Sequence, residues 1–378
     1  MKLAIVVANP NVFAGANKFA SDLIWMLKTH GHRVSLCAWQ KPIENRCYAE
    51  FLDVDEIYLP SKFHNFIRGT MLRILTSSSS ALKSCIKNFK PYAIINADTE
   101  PAVFGVVKGN IKKIQYCHFP TELKIQKNDF IRLIYRIPYW YLHYKELVKL
   151  DAVVCNSRYT QHIAYLLWKY YVPRNRFHVI HPAVNVKVFE KGMKRENKIC
   201  YVGRIDEEKG IEHVINAFLK IHDETGVSLE IVGGGLTWKR TYYEERLKPK
   251  VLELQKDGFP IELKVDVPYS QIVDTLLTSK AMVSFNPEEH FGIVPVEAQA
   301  AGCPPVVARG GGQKETVKHG VTGFLAKSPE EIAYYLLLLL KDTKLWLNMS
   351  QSARKWVSKF SRENIACEWD NLLQKLTL

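Results

Sequence analysis

Two glutamates eight positions apart, Glu289 and Glu297, form the pair in this sequence whose type and spacing most readily suggest chemistry. The run Ile293–Ala301 is compatible with a helix, and Pro295 would fall in its first turn, where a helix tolerates proline. Gly302, with two prolines close behind it, predicts the end of that helix. We therefore expect Glu289 in the loop before the helix and Glu297 inside it.

The start of this predicted helix supplies hydrogen-bond donors beside the two carboxylates. The backbone N–H groups near Gly292, Ile293 and Val294 have no partner within the helix, and such a helix start attracts phosphate and hydroxyl oxygens. Carboxylates, in turn, accept hydrogen bonds from hydroxyl groups. The combination suits a ligand that is both phosphorylated and rich in hydroxyl groups, and a nucleotide-sugar has both properties.

A second motif adds positive charge. The run Ile199–Val202 has the character of a short buried strand, after which Arg204 and Lys209 precede a helix predicted over Ile211–His222. Both cations are therefore expected near the carboxyl end of a strand, where ligands bind in open α/β sheets. Arginine can contact two phosphate oxygens at once, whereas lysine acts as a single movable charge.

Strand-like and helical segments alternate along the whole sequence, which predicts βαβ units and parallel sheets. In the first half, strands are expected at Leu3–Ala8, Arg33–Trp39, Glu56–Leu59, Ala93–Asn96, Ile114–His118 and Ala152–Asn156. In the second half they are expected at Ile199–Val202, Ser228–Gly233, Ile261–Val265, Ala281–Phe285 and Pro304–Ala308. A length of 378 residues suggests two domains, which the polar segment Ile180–Lys198 would link. We also expect a polar loop at Ser77–Ser80 and a final helix within Arg362–Leu378.

Positive charge is concentrated in the first half of the chain. Residues 1–190 contain 26 Lys and Arg against 13 Asp and Glu, whereas the remainder contains 26 against 25. Cations mixed with aromatic residues suit an anionic membrane surface, and the candidate contacts are Lys124, Arg132, Arg136 and Trp140. The alternative is that the aromatic side chains pack inside the domain and the charges are only solvated. Nucleic acid is not expected, because no base-stacking or groove-reading motif accompanies the charge.

Three features favour a cytoplasmic protein that is soluble or bound peripherally to the inner face of a membrane. The eight cysteines show no Cys-x-x-Cys pair or metal-ligand spacing, and this pattern favours reduced, mostly buried thiols. The apolar run Leu3–Ala8 is too short for a secretory signal and suits a first strand. Leu336–Leu340 lies in a run far short of the ~20 residues that a membrane span needs, which favours one buried helix.

Together, these motifs resemble those of the retaining glycosyltransferases of family 4, which have the GT-B fold. The Glu-x7-Glu motif of that family matches at Glu289 and Glu297, and its Gly-Arg-(x)4-Lys-Gly pattern matches at Gly203–Gly210. The Gly-rich loop of the first strand–helix unit matches at Phe13–Asn17. The sequences around Glu289 and at Gln115–Pro120 are most similar to mannosyltransferases that use GDP-mannose.

The resemblance implies an α/β architecture of two Rossmann-like domains, whose parallel sheets face each other across a deep interdomain cleft. It implies an N-terminal acceptor domain over residues 1–185 and a C-terminal nucleotide-sugar donor domain over residues 186–361. It further implies that the C-terminal helix, residues 362–378, crosses back onto the N-terminal domain.

The resemblance also assigns roles to the charged residues. Glu289 would contact the donor sugar near its reacting carbon, and Glu297 would bind the ribose. Arg204 and Lys209 would hold the diphosphate and stabilise the negative charge that grows on the leaving group. Such cations can replace a divalent metal ion, so no metal or other cofactor is expected. The plainer alternatives are a solvated Glu297 and surface ion pairs between the two cations and Asp206–Glu208.

Four further positions receive roles from the same resemblance, and Asp98 receives one because it follows a predicted strand. Gly15 would let the first loop approach the donor phosphates, unless it only serves a turn. His118 would contact the sugar or the acceptor hydroxyl, with a structural histidine as the alternative, and Asp98 would orient the acceptor. Gly234 would leave room beside the nucleotide, and Tyr269 would line the base pocket.

The resulting hypothesis is the transfer of a sugar, mannose from GDP-mannose, to a glycolipid or lipid-linked glycan with retained anomeric configuration. A UDP-sugar-dependent transferase of the same fold is the nearest alternative, because no side chain in the sequence selects guanine over uracil. A nucleotide-sugar epimerase and a non-catalytic scaffold that binds membrane or nucleic acid are the others.

Overall fold

The protein is described by a computed structural model over residues 1–12, 15–60, 70–97, 100–124, 140–234 and 240–377, except for the side chains of residues 70–77 and 124. The chain divides into two compact units. The first comprises Met1–Ala183 together with Arg362–Leu378, and the second comprises Val184–Ser361. Each unit is built on one parallel sheet, so the expectation of two α/β units is confirmed.

The sheet of the first unit has the strand order β3-β2-β1-β4-β5-β6-β7, and neighbouring strands run parallel. The strands are β1 Lys2–Val7, β2 Arg33–Ala38, β3 Glu56–Tyr58, β4 Ala93–Asn96, β5 Lys112–Cys117, β6 Ala152–Cys155 and β7 Phe177–Val179. The chain adds strands outward on one side of β1 and then returns to its other side with β4. The loops after β1 and β4 therefore flank a switch point, which is where open sheets of this kind bind ligands.

The second sheet has the same winding, with the strand order β10-β9-β8-β11-β12-β13 and parallel neighbours throughout. Its strands are β8 Lys198–Arg204, β9 Ser228–Gly234, β10 Ile261–Val265, β11 Ala281–Ser284, β12 Pro305–Ala308 and β13 Phe324–Ala326. Here the switch point lies between β8 and β11. The segments that follow these strands are 205–210 and 285–292, which carry the charged motifs.

Helices connect these strands in both units. Their bounds are α1 Gly15–Thr29, α2 Thr70–Asn88, α3 Arg158–Trp168, α4 Ile211–Thr225, α5 Lys248–Lys256, α6 Tyr269–Thr278, α7 Ile293–Ala300, α8 Gln313–Thr316, α9 Pro329–Lys341, α10 Thr343–Val357 and α11 Arg362–Lys375. Residues 140–147 are also helical. Shorter 3-10 turns include Pro101–Val106, Thr121–Lys124 and Glu207–Lys209, and Tyr243–Leu247 forms a π-helical turn.

The last helix, α11, belongs to the first unit. Its Ile365 and Trp369 are fully buried in the core of that unit. At its start, Nε of Arg362 donates to Oδ1 of Asp22 over 2.7 Å, and the same guanidinium donates to Glu50 over 2.8 Å. Because a buried carboxylate is costly unless it is paired, Arg362 and the Lys18 ammonium, 2.7 Å away, together neutralise Asp22, and the Arg362 contact holds α11 in place.

The predicted strands agree with the observed ones to within two residues at each end. The prediction missed β7 and β13, which have only three residues each. The expected loop at Ser77–Ser80 is wrong, because these residues lie inside α2. Ala81 and Leu82 of α2 are fully buried, so packing of the helix outweighs the weak helix propensity of the serines.

Candidate functional site

The switch point of the second sheet brings Lys209 and Glu289 together. Nζ of Lys209 donates to Oε2 of Glu289 over 2.6 Å, and both side chains are largely shielded from solvent. Burial raises the pKa of Glu289, but the Lys209 ammonium outweighs it, with further attraction from His290 and Arg204. The pKa of Glu289 therefore lies below its ordinary value, and the side chain is a carboxylate at neutral pH.

Arg204 occupies the end of β8 and presents its charge to solvent. Its side chain is 63% exposed, and its guanidinium lies 3.6 Å from the carboxylate of Asp206. Arg204 thus makes the contact with Asp206 that the plainer alternative named, and its binding to the diphosphate stays a prediction. Lys209, by contrast, is paired across the switch point with Glu289, a partner that this alternative did not include.

Gly210 allows the Lys209 segment to lie against the Glu289 segment. Its φ of +66° places it in the left-handed region, and it is the residue that precedes α4. A Cβ atom at this position would overlap the carbonyl oxygen of Phe285, the first residue after β11. Glycine is therefore required here both by the backbone conformation and by the close approach of the two loops.

The three consecutive glycines at Gly310–Gly312 support the other side of the Glu289 loop. Cβ atoms built on these three residues would overlap the carbonyl oxygens of Pro287, Glu289 and His290 in turn. The N–H of Gly312 also donates to the carbonyl oxygen of Glu289 over 2.8 Å. The loop that carries Glu289 is consequently held by backbone contacts that any larger side chain would disrupt.

Helix α7 begins immediately after this loop. Gly292 precedes it with a φ of +89°, and no side chain caps the helix start. The following residues, Ile293 and Val294, are half-buried, and their N–H groups belong to the first turn, which has no acceptor within the helix. The structure thus places the first residue of α7 four positions beyond Glu289, as the sequence predicted.

Glu297 lies on the same helix and is buried. Only 5% of the surface of Glu297 is exposed to solvent, so the interpretation of Glu297 as a solvated helix residue is wrong. The hydroxyl of Tyr269, the first residue of α6, donates to Oε1 of Glu297 over 2.8 Å. Tyr269 was predicted only to line a base pocket, and its contact with the second glutamate was not foreseen.

The opposite end of α7 is held by two arginines that the sequence reasoning missed. Arg354 donates to the carbonyl oxygens of Ala300 and Ala301 over 3.0 and 2.6 Å, and Arg195 also donates to Ala301. Gly302 leaves room for them, because a Cβ there would overlap the Arg354 side chain. The signal available in the sequence was a glycine at a helix end, which says nothing about distant arginines.

Gly234 ends β9 at the same edge of the sheet. A Cβ atom there would lie 3.1 Å from Oδ1 of Asp266, which follows β10. The preceding Gly233 packs against Ile205, where a Cβ would overlap the isoleucine side chain. Gly233 therefore allows the end of β9 to approach the Arg204 segment, whereas Gly234 allows the close approach of Asp266 after β10.

In the first unit, Gly15 is the first residue of α1, and it borders Phe13 and Ala14, which lie outside the described residues. A Cβ at Gly15 would meet nothing within 4 Å. The adjacent turn is fixed by Asn17, whose side-chain amide donates to the carbonyl oxygens of Asn9 and Val12 over 2.7 Å each. Among the described residues, none occupies the space beside Gly15.

His118 follows β5 and is half-buried. Its Nε2 lies 2.8 Å from the carbonyl oxygen of Ala97, and its ring packs edge-on against Phe19 and Tyr116. Phe19 and Tyr116 stack with their ring centroids 3.6 Å apart. These contacts hold the His118 ring at the carboxyl edge of the first sheet, next to the loop that follows β4, and its contact with the sugar or the acceptor stays a prediction.

The remaining predicted residues concern the acceptor and the membrane. Asp98, Arg132 and Arg136 lie outside the described residues, and Lys124 ends a 3-10 turn. The indole of Trp140 packs against Tyr144, and its nitrogen is buried, so this part of the side chain does not face solvent.

Two further features of the described residues concern metal ions and membrane spans. Within the described residues, no cluster of three His, Cys, Asp or Glu side chains is arranged to hold a metal ion. An Asp-x-Asp sequence occurs at Asp53 and Asp55, but Asp55 accepts from the N–H of Val34 near the amino end of β2, at the edge opposite the strand ends described above. Among the helices in the described ranges, none combines the length and the apolar character that crossing a bilayer requires.

Two family profiles match this chain. The profile described as Glycosyl transferases group 1 matches residues 186–356, and the one described as Glycosyltransferase Family 4 matches residues 13–188. The first covers the segments that carry Arg204, Lys209, Glu289 and Glu297. Together the two profiles extend over nearly the whole chain.

Individual proteins agree with these profiles. Alpha-1,3/1,6-mannosyltransferase ALG2 of Dictyostelium discoideum is 26% identical over an alignment that covers 99% of both chains. Alpha-1,3/1,6-mannosyltransferase alg-2 of Neurospora crassa is also 26% identical, but the match covers 60% of this chain and 55% of that protein. The chain spans about half the length of several curated relatives that it matches. The solved structure of Anabaena Alr3699/HepE in complex with UDP and glucose is similar in fold, with a TM-score of 0.73 at 17% identity, covering 99% of this chain and 100% of that one.

Proposed function

We propose that this chain, which belongs to the group 1 glycosyltransferases and has their GT-B fold, transfers mannose from GDP-mannose to a glycolipid or lipid-linked glycan. The observation that carries the proposal is the Lys209–Glu289 pair at the switch point of the second sheet, beside the N-terminus of α7. A cation, a carboxylate and helix-end N–H donors together would suit a sugar phosphate, and this supports the proposal. The similarity to alpha-1,3/1,6-mannosyltransferases supports mannose as the sugar.

The reaction breaks the bond between the anomeric carbon and the β-phosphate oxygen, and the nucleoside diphosphate leaves with the electron pair. Lys209 and Arg204 would bind the diphosphate, where they stabilise this growing charge more in the transition state than in the bound donor. The acceptor hydroxyl forms the new bond on the same face of the sugar, and its proton passes to the departing phosphate. Glu289 would orient the sugar hydroxyls, and the anomeric configuration would be retained.

The same two cations lead us to propose that transfer needs no divalent metal ion. Charge on the leaving group would be neutralised by side chains that are already in place, so chelation should change little. We expect EDTA to alter the rate by less than about twofold, compared with the 10²–10³-fold that a single lost stabilising group can produce. A rate that collapses with EDTA and returns with Mg²⁺ or Mn²⁺ would contradict this part of the proposal.

The acceptor would be presented by an anionic membrane surface, with the protein bound peripherally on its cytoplasmic face. The exposed side of helix 140–147 and the residues after it combines aromatic, apolar and basic groups: Tyr141, Lys145, Val148 and Lys149. Lysine and tyrosine side chains of this kind suit the headgroup region of a bilayer. Sedimentation with vesicles tests this: binding should require anionic lipid and weaken in Lys145→Glu, while equal binding to neutral vesicles would contradict it.

The transfer reaction itself is tested by incubating the purified chain with GDP-mannose and membrane-extracted glycolipids, with UDP-glucose as the competing donor. We expect mannosyl product and GDP release from GDP-mannose, both of which disappear in Glu289→Gln. Product formed only from the UDP-sugar would support sugar transfer as the reaction and contradict GDP-mannose as the donor. Sugar isomerisation without an acceptor would indicate an epimerase, and no turnover or nucleotide binding would indicate a scaffold.

A further inference from the structure

We propose that a cavity at the amino edge of the first sheet binds a phosphate group, which is either free in solution or carried by a lipid headgroup. The cavity has a volume of about 630 Å³ and lies beside the starts of β4, β5 and β6. Three lysines line it, Lys112, Lys113 and Lys149. This edge is opposite the loops that follow β1 and β4, and the inference does not depend on the proposed sugar transfer.

Lys113 is a buried cation with a single weak contact. It is the second residue of β5, and only 9% of its side chain is exposed. Its Nζ lies 3.5 Å from Oε2 of Glu146, at the limit of a hydrogen bond, and it has no other polar partner among the described residues. An ammonium group has three donors, and a buried charge is costly unless they are used. An anion in the cavity would supply the missing acceptors.

The neighbouring carboxylates are already engaged and do not offset the three lysines. Oε1 of Glu146 accepts from Nζ of Lys149 over 2.6 Å, so this one carboxylate serves two lysines. Oδ2 of Asp151 accepts from the backbone N–H of Lys113 over 2.8 Å, and its Oδ1 lies 3.5 Å from Nζ of Lys112. Three ammonium groups thus share two carboxylates, which leaves one positive charge in excess at the cavity.

The positions of the lysines suit an anion with several oxygens. Because Lys113 and Lys149 contact the two oxygens of one carboxylate, their ammonium groups lie close together. Asp151 connects the backbone of Lys113 to the ammonium of Lys112, which holds the third cation at the same edge. A tetrahedral phosphate presents its oxygens in several directions, and lysine binds phosphate as a point charge. A phosphate group would therefore neutralise the excess charge and use the free donors of Lys113.

The surroundings of the cavity are compatible with both sources of phosphate. Leu376, just after α11, lines the cavity, and its carbonyl oxygen accepts from the hydroxyl of Tyr92 over 2.8 Å. A small phosphate or phosphate ester could enter from solvent. At the rim, Val148 is exposed and so is about half of the Lys149 side chain, which would allow a lipid headgroup to approach. The structure therefore assigns the phosphate group, and the source is decided by experiment.

The test is calorimetric titration of inorganic phosphate at constant ionic strength into the wild-type protein, Lys112→Gln and Lys149→Gln. Both lysine side chains are partly exposed, so neither substitution should unfold the protein. We expect each variant to bind phosphate about tenfold more weakly, as the loss of a hydrogen bond to a charged group predicts. A wild-type protein that binds no phosphate, or variants that bind it as well as the wild type, would overturn the inference.

Lys248→Gln is the matched control. Like Lys149, Lys248 has a side chain that is 47% exposed and pairs with a glutamate three or four positions earlier, but it lies in the second unit. Its phosphate affinity should equal that of the wild type, and an equal loss in Lys149→Gln and Lys248→Gln would reveal a general charge effect and overturn the inference.

Phosphate could also bind at Lys209, so the titrations are repeated in a Lys209→Met background. The weakening caused by Lys112→Gln should persist there. Its disappearance in that background would assign the phosphate to the second unit and overturn the inference.

Lys113→Met tests the buried cation itself. Methionine has a similar shape and no charge, so the melting temperature without phosphate should change little. Phosphate should raise the melting temperature of the wild type, because a ligand that binds only the folded state stabilises it, and it should not raise that of Lys113→Met. The same phosphate-induced rise in both proteins would contradict the inference.

Vesicles distinguish the two sources of phosphate. Sedimentation is measured with phosphatidylcholine vesicles with and without phosphatidic acid, whose headgroup is a phosphate. Binding that requires phosphatidic acid and is weakened by Lys112→Gln would support a lipid headgroup, whereas phosphate binding in solution without this vesicle binding would support a free phosphate. Failure of both would overturn the inference and leave the proposed sugar transfer untouched, because no nucleotide-sugar takes part in these measurements.

Discussion

The two sheets of this protein are wound in the same order, yet their switch points are built from different chemistry. In the second unit, the ends of β8 and β11 are joined by the Lys209–Glu289 ion pair and surrounded by closely packed glycine backbone. In the first unit, the corresponding edge beside β1 and β4 carries a stacked pair of aromatic rings and His118 bonded to a backbone carbonyl. The described part of the first switch point is therefore largely neutral.

This difference shows that topology decides where a ligand can bind, whereas the side chains decide which ligand it is. A charged and rigid site suits the diphosphate end of a donor, whose charge changes during reaction. A neutral, partly aromatic edge suits the less charged face of a sugar or glycan. The comparison leads to three predictions, which differ in the size of the expected effect.

The largest effect is expected from Lys209→Met, which removes the cation of the charged switch point. The loss of one preorganised stabilising group should lower kcat for sugar transfer by about 10²–10³-fold. Without the ammonium, the pKa of Glu289 should rise, so the acidic limb of the pH–rate profile should move to higher pH. Steady-state kinetics between pH 4 and pH 8 measure both quantities.

The matched variant in the neutral switch point is His118→Gln. Since His118 is bonded to the Ala97 carbonyl and packed against rings, we expect less than about a tenfold change in kcat. Equal losses in Lys209→Met and His118→Gln would contradict the contrast between the two switch points.

An intermediate effect is expected from Gly311→Ala, which tests whether the Glu289 loop depends on close backbone packing. The added Cβ would overlap the carbonyl oxygen of Glu289 at a φ of +49°, so the loop must move. Displacement of a reacting group by about 1 Å can lower activity up to about 10²-fold, and we expect a loss of ten- to a hundredfold. Kinetics and thermal unfolding of the variant provide the measurement.

The control for Gly311→Ala is Gly320→Ala. Gly320 also has a positive φ, +74°, but a Cβ there would meet nothing within 4 Å. The Gly320→Ala substitution should reduce the free energy of unfolding by about 1–2 kcal/mol through backbone strain and leave activity unchanged. If both variants lose activity to the same degree, backbone strain explains the effect and the packing argument fails.

The smallest effect on activity is expected from His143→Gln in the first unit. This variant should nevertheless change the stability of the protein measurably. The ring of His143 is buried between the carboxylates of Glu100 and Glu122, at 3.1 and 3.2 Å. Burial lowers the pKa of His143, but the two carboxylates outweigh it and raise the pKa to about 9. Since this lies above the unfolded value of about 6.5, the stabilisation is complete below pH 6.5 and is lost as the pH rises through about 9.

Denaturant unfolding between pH 6 and pH 10 measures this contribution. Wild-type stability should fall by on the order of 3 kcal/mol from this group as its proton is lost. His143→Gln should lack that component, because glutamine does not titrate. Parallel stability curves for the two proteins would show that His143 is not held as a cation.

The sequence allowed prediction of those parts of the fold that depend on local pattern. The bounds of α7 and the loop position of Glu289 followed from Gly292, Pro295 and Gly302, which act through their own backbone preferences. The strands β7 and β13 were missed because such short segments gain much of their identity from pairing with β6 and β12, although β3, which is equally short, was predicted. Ser77–Ser80 was assigned to a loop because helix propensity was weighed without the buried face of α2.

The candidate site shows the same limit. The motif spacing predicted that Lys209 and Glu289 lie at one edge of the sheet. The bond between them joins residues 80 positions apart, so it depends on the order of the strands in the sheet. The bond from Tyr269 to Glu297 and the support of the Glu289 loop by Gly310–Gly312 depend on packing between separate elements. Such contacts leave no periodic signal in a single sequence.

The most direct test of the central claim is a crystal structure of the protein with GDP-mannose bound. We predict that the diphosphate lies within about 3 Å of Nζ of Lys209 and of the N–H groups at the start of α7. The sugar should lie against Glu289 and the ribose against Glu297. A nucleotide bound away from the β8–β11 switch point, or one whose phosphates contact neither Lys209 nor α7, would contradict the claim.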